Sequence, residues 1–457
     1  MTMSALMVGH SLIHTLHERT ARGVGWCSTK GVSFRPERSS CIPRSRGRLI
    51  AGTSALCRWR ASLDWRRRSG PMRHDLFRAA VLVALSTSTG WIGWSGNVLL
   101  LPLAASFPML WSLARTRLQT TAISAAYFLA ASRGLPQGVA NFYSSDIWPG
   151  FLLWLIASSA FVTIHSVLWT DRKGWQKSFR YMAACGAMAV PPFGILGWAH
   201  PITAAGVLFP GWGWWGLSAM AAGLAIMVTP YRPAAATAMI GFWLWSAAEW
   251  TTPILPTSWT GVDLEMAASL GRDASLEQQS ALIELVRRQG PADIVVLPES
   301  ALGFWTPTLA RLWQRALTET GTTVIAGAVL IDAKGYDNVL VSISADSSAI
   351  LYRERMPVPG SMWQPWRSLV GERTGAKAHF FANPVVELDD FRIAPLICYE
   401  QLIVWPVLQS MLNDPDVIVA VGNGWWTSGT SIVDIQRTSA LAWGRLFGKP
   451  VILSFNI

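Results

Sequence analysis

The sequence predicts a polytopic α-helical membrane domain followed by a layered α/β domain, and three observations carry that prediction. Of 457 residues, 51% are hydrophobic and only 14% charged, with 26 Trp, a balance greasier than that of an ordinary soluble enzyme. Between residues 76 and 250, seven apolar stretches follow one another with almost no ionisable side chains inside them. After Pro256 the pattern changes to short apolar strands and amphipathic segments separated by Gly, Asp and Ser turns, which argues for an α/β or α+β layered arrangement.

The chain opens on an Arg- and Ser-rich segment, residues 1–71, without sustained apolar periodicity. The net charge of +11 sits almost entirely there, with 13 Lys/Arg against 3 Asp/Glu, leaving 25 against 24 in the remaining residues. No basic groove is therefore expected in the folded part, and no direct nucleic-acid partner. The segment reads as an upstream extension with Met72 as the first residue proper. A disordered basic tail and a targeting peptide are the alternatives.

The next part, residues 72–256, is expected to be a transmembrane domain. Its spans lie near 76–94, 97–114, 119–135, 147–169, 179–198, 205–229 and 232–250, each of about 17 to 25 residues, as the thickness of a bilayer requires. Arg73 and Arg78 flank the first span, Arg115 and Arg117 follow the second, Arg172, Lys173, Lys177 and Arg180 follow the fourth, and Arg232 follows the sixth. The intervening loops carry Arg133 at most. This alternation predicts a cytoplasmic N-terminus and, after an odd number of spans, a periplasmic C-terminal half. The clusters "GWGWW" (211–215) and "WLWSAAEW" (243–250) suit interfacial aromatic belts.

In the C-terminal half, residues 257–457, "SLEQQSALIELVRR" (275–288) has the apolar spacing of an amphipathic helix. Strands are predicted at "ADIVVLPES" (292–300), "TTVIAGAVLI" (322–331), "NVLVSISA" (338–345), "AILYRERM" (349–356), "FRIAPLICYE" (391–400) and "DVIVAVGNGWW" (416–426). A helix through "IVDIQRTSALAWGRLFG" (432–448) and the strand "PVILSFN" complete it. The cysteines (27, 41, 57, 185 and 398) form no CxxC and have no His at metal spacing, so neither a metal site nor a cofactor is expected.

A lone cysteine at a strand end is commonly a small buried hydrophobe. Cys398, however, is matched by Glu299 at the end of another buried strand, "VVLPES". A carboxylate and a thiol at strand ends can converge on one pocket, where the carboxylate takes the thiol proton and the thiolate attacks. Strand-Pro-Glu, then Tyr-x-Asn, then Cys-Tyr-Glu together resemble the signature of the nitrilase, or carbon–nitrogen hydrolase, superfamily. With a polytopic half in front, the chain is similar to the apolipoprotein N-acyltransferases. "LYRERMPVPGSMWQPW" (351–366) and "CYEQLIVWPVLQSMLNDPDVIVAVGNGWW" (398–426) resemble a family of conjugal transfer proteins of rhizobial and agrobacterial plasmids.

The resemblance covers roughly residues 73–457 and implies a nitrilase-like αββα sandwich with a Glu-Lys-Cys triad. It makes Glu299 the general base, Cys398 the nucleophile of a thioester acyl-enzyme, and Glu400 a second glutamate that orients the site. Tyr336 and Asn338 match the structural Tyr-x-Asn. At the position of the lysine stands Glu354. Strand alternation puts Glu354 on the Tyr352 face and turns Arg353 and Arg355 away, unless a one-residue slip brings one of them into the pocket. An arginine there would stabilise an oxyanion but would not relay a proton. Trp425 and Trp426 are expected to pack under a Gly-rich loop or to line an acyl pocket, and Lys334 and Lys377 to be surface residues. The family continues beyond "VILSFNI", so a shortened C-terminus is also expected.

Two functions follow. One is a membrane-anchored acyltransferase or C–N hydrolase assisting conjugal plasmid transfer in the bacterial inner membrane. Its partners would be the lipid bilayer, a phospholipid acyl donor and lipoprotein or conjugation-envelope proteins. The alternative is a catalytically degenerate membrane component of the conjugation machinery that acts by binding protein.

Overall fold

The computed structural model describes residues 74–266, 275–289, 293–371 and 375–457. The expectations for residues 1–71 lie outside the described residues. The helical half begins with α1 (His74–Gly93). A 3-10 turn (Val98–Ser106) and α2 (Phe107–Ser112) follow, then α3 (Arg117–Ala131), α4 (Leu135–Tyr143), α5 (Trp148–Val167) and α6 (Trp175–Ala189). The short α7 (Ala205–Leu208), α8 (Gly213–Met227) and α9 (Arg232–Ala248) complete it.

Helices stand at each of the seven predicted stretches, but most are shorter than predicted. Among the described residues, only α1 and α5 are long and apolar enough to cross a membrane. Proline and glycine cut the others. Pro102 lies inside the 3-10 turn, Pro191 and Pro192 follow α6, and Pro210-Gly211 separates α7 from α8. Proline has no N–H for the helical ladder and clashes with the preceding turn. Helix α4 was not predicted, because its nine residues make only a short amphipathic stretch between two longer runs.

The α/β half runs β1 (Trp259–Gly261), α10 (Leu276–Arg287), β2 (Ile294–Val296), α11 (Pro307–Leu317), β3 (Thr323–Ile331), β4 (Tyr336–Ile343) and β5 (Ser348–Arg353). It continues with β6 (Val386–Leu388), β7 (Phe391–Ile397), α12 (Val404–Met411), β8 (Val417–Asn423), α13 (Ile432–Phe447) and β9 (Val451–Asn456). One sheet has the order β1-β2-β3-β4-β5 and the other β6-β7-β8-β9. β1, β2 and β3 are parallel, as are β7, β8 and β9, while β4, β5 and β6 pair antiparallel to their neighbours.

The layers follow from which faces are apolar. Leu282, Val286, Trp313 and Leu317 of α10 and α11 bury against the outer face of the first sheet. Ser275 and Thr306 cap those two helices by accepting from Gln278 N and Leu309 N, which serves orphan donors of the first turn. Val296, Ile325, Tyr352, Ile397 and Val419 fill the space between the sheets. On the outer face of the second sheet lie α12 and α13, giving helix, sheet, sheet, helix. The expected sandwich is present.

Helix α13 is buried along almost its whole length because it has neighbours on both sides. Ile435, Ala442 and Leu446 belong to one apolar core that runs from Leu396 and Ile418 of the second sheet to Phe107, Tyr127 and Met220 of the helical half. A Cβ added to Gly206 of α7 would stand 1.6 Å from Ala442 O, so only glycine permits that approach. Polar bonds join the same parts: Thr438 Oγ1 donates to Gly96 O at 2.6 Å, Tyr399 Oη to Ile195 O at 2.7 Å, and Arg445 Nε to Thr251 O at 3.0 Å.

Candidate active site

Glu299 follows β2, where Leu297 N donates to Ile325 O and the chain turns sharply, with Ser300 in the left-handed region at φ +63°. The turn lies directly on β3. A Cβ at Gly327 would come within 2.5 Å of Glu299 Cα and Ser300 N, so the absence of a side chain at 327 is what lets the carboxylate-bearing turn sit there. Glu299 is 6% exposed. Its Oε1 accepts from Asn338 Nδ2 at 3.2 Å and its Oε2 from Asn423 N at 3.1 Å.

Cys398 is the first residue after β7 and takes φ +46°, a conformation uncommon for a residue with a Cβ. That turn lifts the thiol off the strand on the side of Glu299, whose negative charge acts on it. Gln436 Nε2, from the buried face of α13, donates to Sγ at 3.6 Å. Burial, then the negative charges of Glu299 and Glu354, push the thiol well above its ordinary range. Burial also lifts Glu299 to about 7, while the thiol and the Asn423 N–H pull it back. The resting pair is thus a neutral thiol beside a carboxyl poised to exchange a proton near neutrality.

Glu400 lies just beyond Cys398 and is fully buried, yet its bonds go elsewhere. Oε1 accepts from Tyr352 Oη at 2.7 Å, Arg355 N at 2.7 Å and Met356 N at 3.2 Å, and Oε2 accepts from Ile397 N at 2.8 Å. It ties the end of β5 to the end of β7 and so positions the turn that carries the cysteine.

The two arginines do not join the thiol. Arg355 is fully buried, with Nε on Tyr352 Oη at 2.8 Å and an ion pair to Glu400 at 3.8 Å. Its other donors go to Pro406 O, Gln409 Oε1 and Ser410 Oγ of α12 and to Pro395 O of β7. Arg353 pairs with Asp337, which also receives His379. Neither guanidinium bonds to Cys398 or Glu299. A register shift does occur in this hairpin, but between Leu340 and Val341, upstream of both arginines.

Glu354 comes to the site instead. Its backbone is fixed by Glu354 N donating to Asn338 O at 2.9 Å, and its Oε2 accepts from Asn338 Nδ2 at 2.8 Å. One side-chain amide therefore serves both Glu299 and Glu354. Lys377 pairs with Asp332, with Lys334 in the same turn, so neither lysine enters the site. Trp426 packs its ring on α4 at Gly138 and donates Nε1 to Asn423 O at 3.1 Å, while Trp425 stacks on Phe142 with ring centroids 5.6 Å apart. Asn141 of α4 donates to Trp426 O and Ser428 O, both at 3.0 Å. The unpredicted helix thus clamps the loop that follows Asn423, the last residue of β8.

Sequence reasoning missed Gln436. A signal was present, since this amide interrupts the apolar stripe Ile432, Val433, Ile435, Ala440 of α13.

The carbon–nitrogen hydrolase family model matches residues 129–445. A probable conjugal transfer protein TraB of Sinorhizobium fredii (strain NBRC 101917 / NGR234) is 63% identical over 387 residues, spanning 84% of this chain and 100% of that one. The conjugal transfer protein TraB of Agrobacterium fabrum (strain C58 / ATCC 33970) is 57% identical over 420 residues, spanning 89% and 100%. An apolipoprotein N-acyltransferase of Photobacterium profundum is 26% identical over 193 residues, 38% of this chain and 37% of that one.

Proposed function

The chain belongs to the carbon–nitrogen hydrolase family, and from that premise, with relatives named as conjugal transfer proteins, we propose that it serves conjugal plasmid transfer as a membrane-anchored enzyme that moves acyl groups through a Cys398 thioester. The observation that carries this reading is the thiol held at a left-handed turn between a carboxyl poised near neutrality and an amide donor. Glu299 accepts the thiol proton as Sγ attacks an amide or ester carbonyl. It returns that proton to the leaving nitrogen or oxygen, and the thioester then passes its acyl group to an amine or to water.

The helical half supports the lipid side of the proposal. Phe77, Val81 and Leu85 of α1, and Trp148, Leu152 and Ile156 of α5, recur at helical spacing and are exposed, forming apolar stripes that a bilayer would cover. At one end of α1, Arg78 donates to Leu113 O at 2.5 Å, and Lys177 donates to Ser112 O at 2.6 Å, so basic residues gather there. At the other end, Arg133 donates to Trp91 O and Trp94 O, and α13 of the α/β half docks at Gly96. A 20-residue helix separates these ends by about 30 Å. That arrangement supports a cytoplasmic basic face and a periplasmic α/β half in the inner membrane. A phospholipid is then the acyl donor within reach, and a lipoprotein or other envelope protein the acceptor.

The test is labelling of isolated membranes with a thiol-directed acyl probe. The wild-type chain should label, Cys398→Ala should not, and Glu299→Gln should label at least about tenfold more slowly, the low end for a lost general base. Equal labelling of wild type and Cys398→Ala would end the acyl-enzyme reading and favour a binding role, to which the lack of a cation beside the thiol among the described residues points.

A further inference from the structure

Glu354 is 1% exposed, and its Oε1 is buried without a hydrogen-bond partner, although Oε2 is held by Asn338. The same Asn338 amide holds Glu299, so two carboxyls share one NH2 group. Arg355, the buried cation next to Glu354 in sequence, is spent on Glu400. Two neighbouring carboxyls in such a place cannot both be ionised, and one keeps a proton. Glu299 has the additional Asn423 N–H and the thiol to support its charge, and Glu354 has no counterpart to either. Burial, followed by the charges of Glu299 and Glu400, holds the Glu354 carboxyl well above the carboxylate range. With Oε2 already accepting, the proton belongs on Oε1. Cys398 lies close enough for the charge on Glu354 to act on its sulfur.

We propose that Glu354 presents its Oε1–H to the oxyanion formed when Cys398 attacks an acyl carbonyl, so that a neutral acid stands where the family resemblance calls for lysine. This rests on the acyl-transfer reading above. As the Sγ–C bond forms, the thiol proton goes to Glu299 and the carbonyl π pair moves onto oxygen. Glu354 hydrogen-bonds that oxygen without giving up its proton. On collapse the C–N or C–O bond breaks, the leaving group takes the proton from Glu299, and Glu354 is unchanged. The groups facing Glu354 are Glu299 after β2, Tyr336 and Asn338 in β4, and Cys398 and Glu400 after β7. None of these is a cation, and the Asn338 amide already donates to Glu299 and Glu354.

Two reagents on the purified full chain separate the steps. A p-nitrophenyl acyl ester acylates Cys398 through an oxyanion, whereas iodoacetamide alkylates it without one. Glu354→Ala should slow acylation about 10²- to 10³-fold, as loss of an oxyanion donor does, with alkylation changed far less. Glu354→Gln keeps an N–H donor and should acylate within about tenfold of wild type. In wild type the ratio of acylation to alkylation should fall as rising pH ionises Glu354, and in the Gln variant it should stay flat. The proposal is overturned if Glu354→Ala acylates at the wild-type rate, if the Gln and Ala variants are equally slow, or if both reagents slow together. A wild-type chain that alkylates but never acylates overturns the acyl-transfer reading itself, and this proposal with it.

Discussion

At Cys398 the backbone and the electrostatics pull in different directions. The left-handed turn exposes the thiol to Glu299, while burial and two carboxyls keep it protonated. Pre-formation of the thiolate would need a cation, and neither Arg353 nor Arg355 supplies it, so deprotonation belongs to the attack step. Glu299 and Cys398 were legible because each follows closely on a buried apolar strand, and Glu400 because it completes the Cys-Tyr-Glu run. Strand alternation also put Glu354 on the Tyr352 face and turned Arg353 and Arg355 away, and Glu354 does reach the site while neither arginine does. What the sequence left open was the slip that would have brought an arginine in, and where the donors of Arg355 would go instead. The raised Glu299 carboxyl has a consequence for stability. The folded chain holds a proton there that the unfolded chain releases near the ordinary value of 4.5, so stability falls as pH rises from there to about 7. Glu299→Gln removes that cost. In thermal unfolding the variant should gain on wild type at pH 8, and the gap should shrink at pH 5. A gap that does not grow with pH would refute the burial of an ionisable carboxyl here.

At the scale of elements, strands were the more legible, because continuous apolar runs bounded by Gly, Asp and Ser mark buried β-structure. The helical stretches were legible in place but not in length, since Pro102, Pro191, Pro192 and Pro210 break apolar runs that hydropathy reads as continuous. Helix α4 was hidden because it is its packing against α5, Trp426 and the loop after β8 that gives it a reason to form. The sidedness expected from the alternation of basic loops is the element-level proposal to test. Alkaline phosphatase, active only on the periplasmic side, should be active when fused after residue 260 and inactive when fused after residue 174. The reverse pattern would overturn the orientation drawn from the basic loops.

Over the whole molecule, one apolar core joins the helical half to the second sheet through α13, and α13 also supplies Gln436 to the thiol. Composition announced the two halves, but not that they share a core, because a buried helix with two apolar neighbours looks in sequence like any amphipathic helix with a generous stripe. That shared core makes the helical half part of the framework that holds the site, as the proposed transfer of an acyl group from a membrane lipid requires. The central claim is that transfer depends on Cys398 chemistry, and plasmid transfer frequency measures it most directly. Strains carrying wild type or Cys398→Ala, at equal levels in the membrane, should differ, with Cys398→Ala falling to the frequency of a strain lacking the protein. Transfer by Cys398→Ala at the wild-type frequency would contradict the account and leave a protein that serves conjugation by binding alone.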